Sequence, residues 1–163
     1  MLVEMKVTGL TIDPFTNMPI IILKDMEEKS ALPIWIGLIE ASAIATELEK
    51  IKLARPMTHD LIKNVLAALA VKVEKVEVSD LYENTFYARI HLQKGEETFI
   101  IDSRPSDAIA LALRAGAPIF VDRKVIEKSR QIDLGKEGHE GERQKWTEFL
   151  ENLNPEDFGK YKM

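Results

Sequence analysis

The sequence predicts an α+β domain: a mixed, largely antiparallel sheet with helices packed on it, followed by a short C-terminal helical appendage. Residues 1–11 and 86–92 carry apolar side chains with the two-residue period of strands, and residues 18–23 form a continuous apolar run typical of a buried strand. Residues 38–53 and 58–69 carry them with the 3.6-residue period of helices. A glycine-punctuated, charged stretch at 135–145 then separates the domain from the appendage.

The amino-acid composition limits the classes of protein to which the chain can belong. The 163 residues suit one compact domain with a short extension. The 27 acids against 22 bases give a net charge of −5, which argues against a protein that coats nucleic acid through bulk positive charge but is compatible with an enzyme that has a local basic cleft. The absence of cysteine excludes disulfides, thiol catalysis and thiolate metal sites. Scarce glutamine beside abundant Lys and Glu is typical of heat-adapted proteins.

We expect a cytoplasmic protein with no contact to a membrane. No apolar run approaches the roughly 18 residues that cross a bilayer. The first six residues place an acid and a base inside their apolar stretch, which is unlike a signal peptide.

The N-terminal elements are predicted to be strands. Residues 1–11 alternate loosely, 13–17 are turn-forming and 18–23 form a continuous apolar run. This pattern predicts a hairpin with one buried strand. A short third strand is expected at 31–36, and it ends at Gly37.

Two helices follow. The apolar stripe of residues 38–53 predicts the first helix, which the pair Arg55-Pro56 ends. The stripe of residues 58–69 predicts the second, with Thr58 as its N-cap and Asp60 in its first turn.

A strand and a hairpin come next. The apolar phase of residues 71–78 slips, which predicts a bulge near Glu74-Lys75. In the hairpin at 86–102, a two-residue turn at Lys94-Gly95 is expected to set Tyr87 opposite Asp102. One face of this hairpin then carries four polar side chains: Tyr87, Arg89, His91 and Asp102.

The last part of the domain contains a buried helix. Residues 108–113 are wholly apolar and Gly116 is a strong helix stop. A short strand at 119–121 and a small helix capped by Asp122 follow. The predicted parts of the chain are a domain at 1–134, a flexible linker at 135–145 and a short helical tail at 146–163.

Several enzyme classes lack their motifs here. The sequence has no Gly-x-Ser-x-Gly, no phosphate-binding glycine loop and no dinucleotide fingerprint. Its histidines, at positions 59, 91 and 139, are not at zinc spacing. The remaining candidates are acids, arginines and a histidine at the ends of predicted elements.

The densest polar cluster combines Asp102, Arg104, Ser106 and Asp107 beside apolar sequence. Such a cluster costs desolvation unless it is paired or binds a ligand. An arginine fork suits phosphate oxygens, and two carboxylates suit the divalent cation that phosphate chemistry often uses. The structural alternative is helix capping with a local arginine–carboxylate pair.

Other candidates also have structural alternatives. Glu40 is a metal ligand or base, or else a capping acid of its helix. His59 is a general acid or base, or else simply exposed, and Asp60 by default is a helix-start acid. Tyr87 can stack on a base and Arg89 can bind a phosphate if their strand face lines a groove; otherwise the face is solvated.

These residues lie in motifs that resemble the bifunctional nuclease domain family. The motifs are Pro33-Ile34-Trp35-Ile36-Gly37 with Glu40-Ala41, the segment 55–61, Phe86-Tyr87-Ala88 and the segment 102–112. The resemblance covers residues 1–134, and 149–161 look like a tail of bacterial members. It implies an α+β homodimer with a broad groove and a nuclease that acts on DNA and RNA. The positions that match the family's motifs are Glu40, Arg55, Thr58, His59, Asp60, Asp102, Arg104, Ser106 and Asp107.

The leading hypothesis is hydrolysis of phosphodiester bonds. Mg²⁺ or Mn²⁺ would be held by two or more carboxylates of the set Glu40, Asp60, Asp102 and Asp107. His59 would move a proton, and Arg55 and Arg104 would stabilise negative charge on phosphorus. The alternative is a non-catalytic dimeric module that binds a small anion or a protein partner. A third interpretation is that the motifs only fix how two helices start.

Overall fold

The computed structural model of the protein describes residues 1–135, with side chains up to Arg130. In this part, seven strands form one mixed sheet on which four helices pack. The strands are β1 (Leu2–Ile12), β2 (Pro19–Asp25), β3 (Ala31–Trp35), β4 (Lys72–Tyr82), β5 (Thr85–Lys94), β6 (Glu97–Ser103) and β7 (Ile119–Asp122). Their order is β3-β2-β1-β7-β4-β5-β6, and the β4–β7 pair is parallel while the other neighbours are antiparallel. The predicted α+β class is confirmed.

The helices are α1 (Leu38–Leu48), α2 (Thr58–Ala68), α3 (Pro105–Ala115) and α4 (Arg123–Gly135). Helix α1 packs on β1 and β2, and α3 packs on β4 and β5. Both α1 and α2 also pack on α3, which is therefore the central helix of this layer. The predicted linker, apart from Gly135, and the predicted tail lie outside the described residues. Within residues 1–135, no helix has the length and apolar character needed to cross a membrane.

The predicted end of α1 at residue 53 is wrong. The helix stops at Leu48 because Lys50 takes a left-handed backbone conformation with φ 53°. The N–H of Ile51 then bonds back to the carbonyl of Thr46, as is common at helix ends. The apolar spacing continues past this point, so periodicity alone did not reveal the stop.

The start of α2 is also displaced by one residue. Thr58 is the first helical residue and Met57 takes the N-cap position. The Met57 N–H donates to Oδ2 of Asp60 at 3.0 Å. The capping oxygen therefore comes from Asp60, in agreement with its interpretation as a helix-start acid.

The hairpin forms with its turn one residue later than predicted. Lys94 pairs with Glu97, which leaves Gly95 and Glu96 in the turn, and Gly95 has the positive φ of 60° that favours glycine. Asp102 consequently lies opposite Arg89 instead of Tyr87. Each residue of β5 is thus paired two residues further along β6 than predicted. Because side chains alternate between faces every residue, a shift of two leaves each side chain on its predicted face. The predicted bulge is confirmed by the register shift between Val73 and Lys75.

The two faces of the sheet differ near β6. Val76 and Ile90 are cross-strand partners, and both lie in the core beneath α3. We call this face the helix side. Arg89 alternates with buried Ala88 and Ile90, so Arg89 and its partner Asp102 point to the opposite face. We call that opposite face, on β4 to β6, the open face.

Candidate functional site

The N-termini of helices α1 and α2 lie next to the N-terminus of the central helix, α3. Glu40 lies in the first turn of α1, and His59 lies in the first turn of α2. Arg104 is the N-cap of α3 and Asp107 is in its first turn. We call these four residues the helix-start cluster. Both α1 and α2 pack on α3. This packing brings Glu40 and Asp107, which are 67 positions apart in the sequence, into contact with Arg104.

Asp107 is the hub of the cluster. Its Oδ1 lies 2.9 Å from Nε2 of His59, and its Oδ2 accepts a hydrogen bond of 3.0 Å from Nε of Arg104. The Nη2 of Arg104 lies 2.8 Å from Oε1 of Glu40. One arginine thus bridges two carboxylates, and one of those carboxylates also orients the histidine.

The contact with Asp107 sets the chemistry of the imidazole. A carboxylate only accepts hydrogen bonds, so Nε2 of neutral His59 carries the proton and Nδ1 carries the free lone pair. No described residue forms a hydrogen bond with Nδ1. Such an imidazole can accept and return a proton.

Arg104 is the cation of the cluster and is held by two carboxylates. Hydrogen bonding to Asp107, then the charges of Asp107 and Glu40, raise the pKa of Arg104 above its ordinary value. The guanidinium side chain is nevertheless 67% exposed, so an incoming phosphate can reach it. The starts of α1, α2 and α3 add the partial positive charge of their free N–H groups.

Gly37 allows Glu40 to take its position. The carboxylate of Glu40 folds back over Gly37, so that a Cβ at residue 37 would collide with Oε2. Gly37 is the N-cap of α1 and has extended backbone, which any residue can adopt. A side chain at residue 37 would therefore displace the Glu40 carboxylate and would not strain the backbone.

The sequence analysis missed Arg114, which joins the three helices. Its Nε donates to Oδ1 of Asp60 at 2.8 Å, Nη1 donates to the Ala110 carbonyl at 3.0 Å and Nη2 donates to the Ala43 carbonyl at 2.9 Å. These partners lie on α2, α3 and α1, respectively. The sequence did contain a signal for this residue: Arg114 directly follows the apolar run of α3, which puts it near the core. A buried guanidinium requires charged or polar partners.

The bonds to Asp60 predict an acid-sensitive contribution to stability. The Met57 N–H, against the effect of burial and together with Arg114, lowers the pKa of Asp60 below its ordinary value of 3.8. A lowered folded-state pKa stabilises the fold above about pH 4, and this stabilisation is lost as pH falls through the folded-state pKa. We expect Asp60→Asn to lower the free energy of unfolding by about 1 kcal/mol at neutral pH. The gap should close in acid, as measured by urea denaturation along a pH series.

A matched control separates this effect from a general loss of charge. Asp102→Asn is the same chemical change at an exposed carboxylate that has no hydrogen bond or ion pair with a described residue. A stability gap for Asp60→Asn that is as wide in acid as at neutral pH would contradict the assignment.

The other predicted site residues lie apart from the cluster. Asp102, Arg89 and Tyr87 are exposed on the open face. Arg55 is exposed in the segment before α2 and has no hydrogen bond or ion pair with a described residue. Ser106 is buried in the first turn of α3.

The open face contains a second histidine–carboxylate pair that the sequence did not indicate. The Nε2 of His91 lies 2.7 Å from Oε1 of buried Glu77. The two residues belong to neighbouring strands, β5 and β4. The chain therefore offers two such pairs on different faces, which is useful for matched experiments.

The described residues do not form a ready-made metal site. No three His, Asp or Glu side chains lie together as ligands within the described part of the chain. Glu40 and Asp107 are both held by Arg104, and Asp102 of the predicted metal set lies on the open face.

Known proteins resemble the chain over this whole region. The sequence model of the bifunctional nuclease domain matches residues 21–133, which include the entire helix-start cluster. An uncharacterized protein of Mycobacterium tuberculosis is 36% identical over 162 residues, which cover 95% of this chain and 97% of that protein. Bifunctional nuclease 1 of Oryza sativa subsp. indica is 33% identical over 110 residues, or 64% of this chain and 33% of that protein. Bifunctional nuclease 1 of Arabidopsis thaliana is 29% identical over 125 residues, or 72% of this chain and 38% of that protein.

Proposed function

From the membership of this chain in the bifunctional nuclease domain family, we propose that it hydrolyses phosphodiester bonds in DNA and RNA at the helix-start cluster. The family match spans more than half of the chain, and the plant relatives are named as nucleases. The observation that carries the proposal is the shared contact of Asp107 with His59 and Arg104. It places a proton acceptor beside an exposed cation.

Each residue of the cluster has a role in this proposal. Arg104 binds the phosphate oxygens and stabilises the charge that grows on them in the transition state. Nδ1 of His59 takes a proton from the attacking water as the new P–O bond forms, and a solvent water gives a proton to the leaving oxygen as the old P–O bond breaks. The imidazolium then releases its proton to the hydroxide left in the solvent, which restores the neutral histidine. Asp107 stabilises the resulting imidazolium, and Glu40 holds Arg104 in position.

Further substrate contacts are proposed on the open face. Tyr87 offers a ring for stacking and Arg89 offers a cation, and both are exposed. The involvement of Mg²⁺ or Mn²⁺ stays a prediction, since a cation of this kind is often carried by substrate phosphates together with one or two carboxylates. A homodimer also stays a prediction of the family resemblance.

Two arginine variants separate catalysis from binding. Arg104→Lys keeps the charge but cannot bridge two carboxylates in the same way, so we expect kcat for a short oligonucleotide to fall about tenfold. Arg89→Lys, on the open face, should raise KM and leave kcat unchanged. Single-turnover and steady-state cleavage of matched DNA and RNA oligonucleotides would measure both.

The same assay, run with and without EDTA, tests the predicted cation. Loss of cleavage in EDTA that Mg²⁺ or Mn²⁺ restores would support the ion. Cleavage by Arg104→Lys at the wild-type kcat would remove the helix-start cluster as the catalytic site, and purified protein that cleaves neither nucleic acid would remove the nuclease proposal.

A further inference from the structure

Helix α2 presents an apolar face that no described residue covers. Four of its apolar residues are each 40% to 56% exposed: Leu61, Ile62, Val65 and Leu69. With 3.6 residues per turn, these four side chains fall within one arc of about 100° around the helix axis. A stripe of that width normally packs against a core or a partner. We call these four residues the α2 face.

Helix α2 is attached to the domain mainly by its first turn. His59 is the one buried residue of the helix, and Asp60 accepts a hydrogen bond from Arg114. Beyond Asp60, every residue from 61 to 70 except Leu66 is exposed. Among the described elements, α2 packs mainly on α3. The α2 face is therefore a grouped apolar surface, and such a surface on a soluble domain marks an interaction site.

We propose that the α2 face is covered by the C-terminal part of the same chain, through residues 146–153. We call these residues the tail segment, which lies outside the described residues. Its sequence has apolar residues at i, i+3, i+4 and i+7, namely Trp146, Phe149, Leu150 and Leu153. This spacing predicts a helix with one apolar stripe, which can pack along the stripe of α2. The proposal goes beyond the nuclease function and does not depend on it.

Charge favours the tail segment over a second copy of α2 as the occupant. The segment 50–70 carries a net charge of +3 with His59 neutral, although the whole chain carries −5. It has one acid, Asp60, and four exposed bases: Lys50, Lys52, Arg55 and Lys63. Residues 146–157 have four acids and no base. A second α2 would place bases beside bases, whereas the tail brings the opposite charge.

The tail segment can reach the α2 face of its own chain. Eleven backbone steps join Gly135, the end of α4, to Trp146, and a chain of that length spans at most about 36–40 Å. Helices α4 and α3 both pack on β4, and α2 packs on α3. Three such packing steps of about 10 Å amount to roughly 30 Å. A short tether also gives a local concentration on the order of 1 mM, which favours docking within one chain at micromolar protein.

Two introduced cysteines test the contact, because the natural chain has none. Val65→Cys lies in the α2 face, and Leu150→Cys lies in the apolar stripe of the tail segment. With a short bismaleimide at micromolar protein, the full chain carrying both should crosslink internally and keep the mass of one chain, 18.5 kDa plus one linker. Thr85→Cys with Leu150→Cys is the matched control. Thr85 is exposed and lies beside the end of β4 that Lys128 of α4 contacts, so a tail without a preferred site would crosslink there at least as readily.

Tryptophan fluorescence provides the second measurement. In a Trp35→Phe background, Trp146 is the one remaining tryptophan, and its emission should be that of a buried indole. Val65→Lys should shift this emission to the wavelength of the same chain unfolded in urea, with an unchanged circular dichroism spectrum, whereas Thr85→Lys should leave it in place. Emission at the unfolded wavelength before Val65 is changed would overturn the proposal. So would a crosslink that is absent, that joins two chains, or that forms equally with Thr85→Cys.

Discussion

His59→Gln should lower the cleavage rate of DNA and RNA by about 10²–10⁴-fold, the usual contribution of a general acid–base residue. The amide of glutamine can still donate a hydrogen bond to Asp107, so the contact that holds α2 to α3 is retained. What is lost is a side chain that takes and returns a proton. The measurement is the single-turnover cleavage rate of a short labelled oligonucleotide with saturating protein.

The chain supplies its own control for this substitution. His91 forms an equivalent contact with Glu77, at 2.7 Å, on the open face of the sheet. His91→Gln is the same chemical change with the same retained hydrogen bond, and we expect its single-turnover rate to stay within about twofold of wild type. Equal losses in the two variants would show that histidine replacement affects the fold instead of the reaction. A full rate in His59→Gln would mean that another group moves the proton.

Local sequence patterns predicted most of the fold. The hairpin of β5 and β6 is an example: its turn moved by one residue, yet each side chain stayed on its predicted face because the partner shifted by two. The end of α1 was not predictable in the same way. The apolar spacing runs on through Ile51, and a left-handed Lys50 ends the helix without a glycine or proline to mark it.

The candidate site was predicted only in part, because it depends on how helices pack. The helix-start cluster and Asp102 all carried sequence signals, since charged residues at element ends stand out beside apolar runs. Asp102 and Asp107 are close in the sequence, which suggested that they act together. In the structure Asp102 points to the open face, whereas Asp107 contacts His59 and Arg104 at the start of α3. The contact of Arg104 with Glu40 spans 64 residues and depends on α1 packing on α3. Such tertiary contacts leave no periodic trace in the sequence.

Arg114→Met should lower the free energy of unfolding by about 3–5 kcal/mol, the usual cost of removing one partner from a buried ion pair. The Arg114 side chain is 3% exposed and makes three bonds, one to each of the three helices that form the cluster. Methionine retains much of the apolar stem but leaves Asp60 and two carbonyl groups without their donor. Urea denaturation at neutral pH would measure the loss.

Arg104→Met is the matched control, because Arg104 also bonds to an aspartate but its side chain is 67% exposed. An exposed ion pair contributes about 0–1 kcal/mol, so this variant should unfold near the wild-type midpoint while its cleavage falls. These results would assign different roles to the two arginines. Arg114 would hold the three helices in position, and Arg104 would bind the phosphate. Similar stability losses in both variants would contradict this division, since burial would then not distinguish the two guanidinium groups.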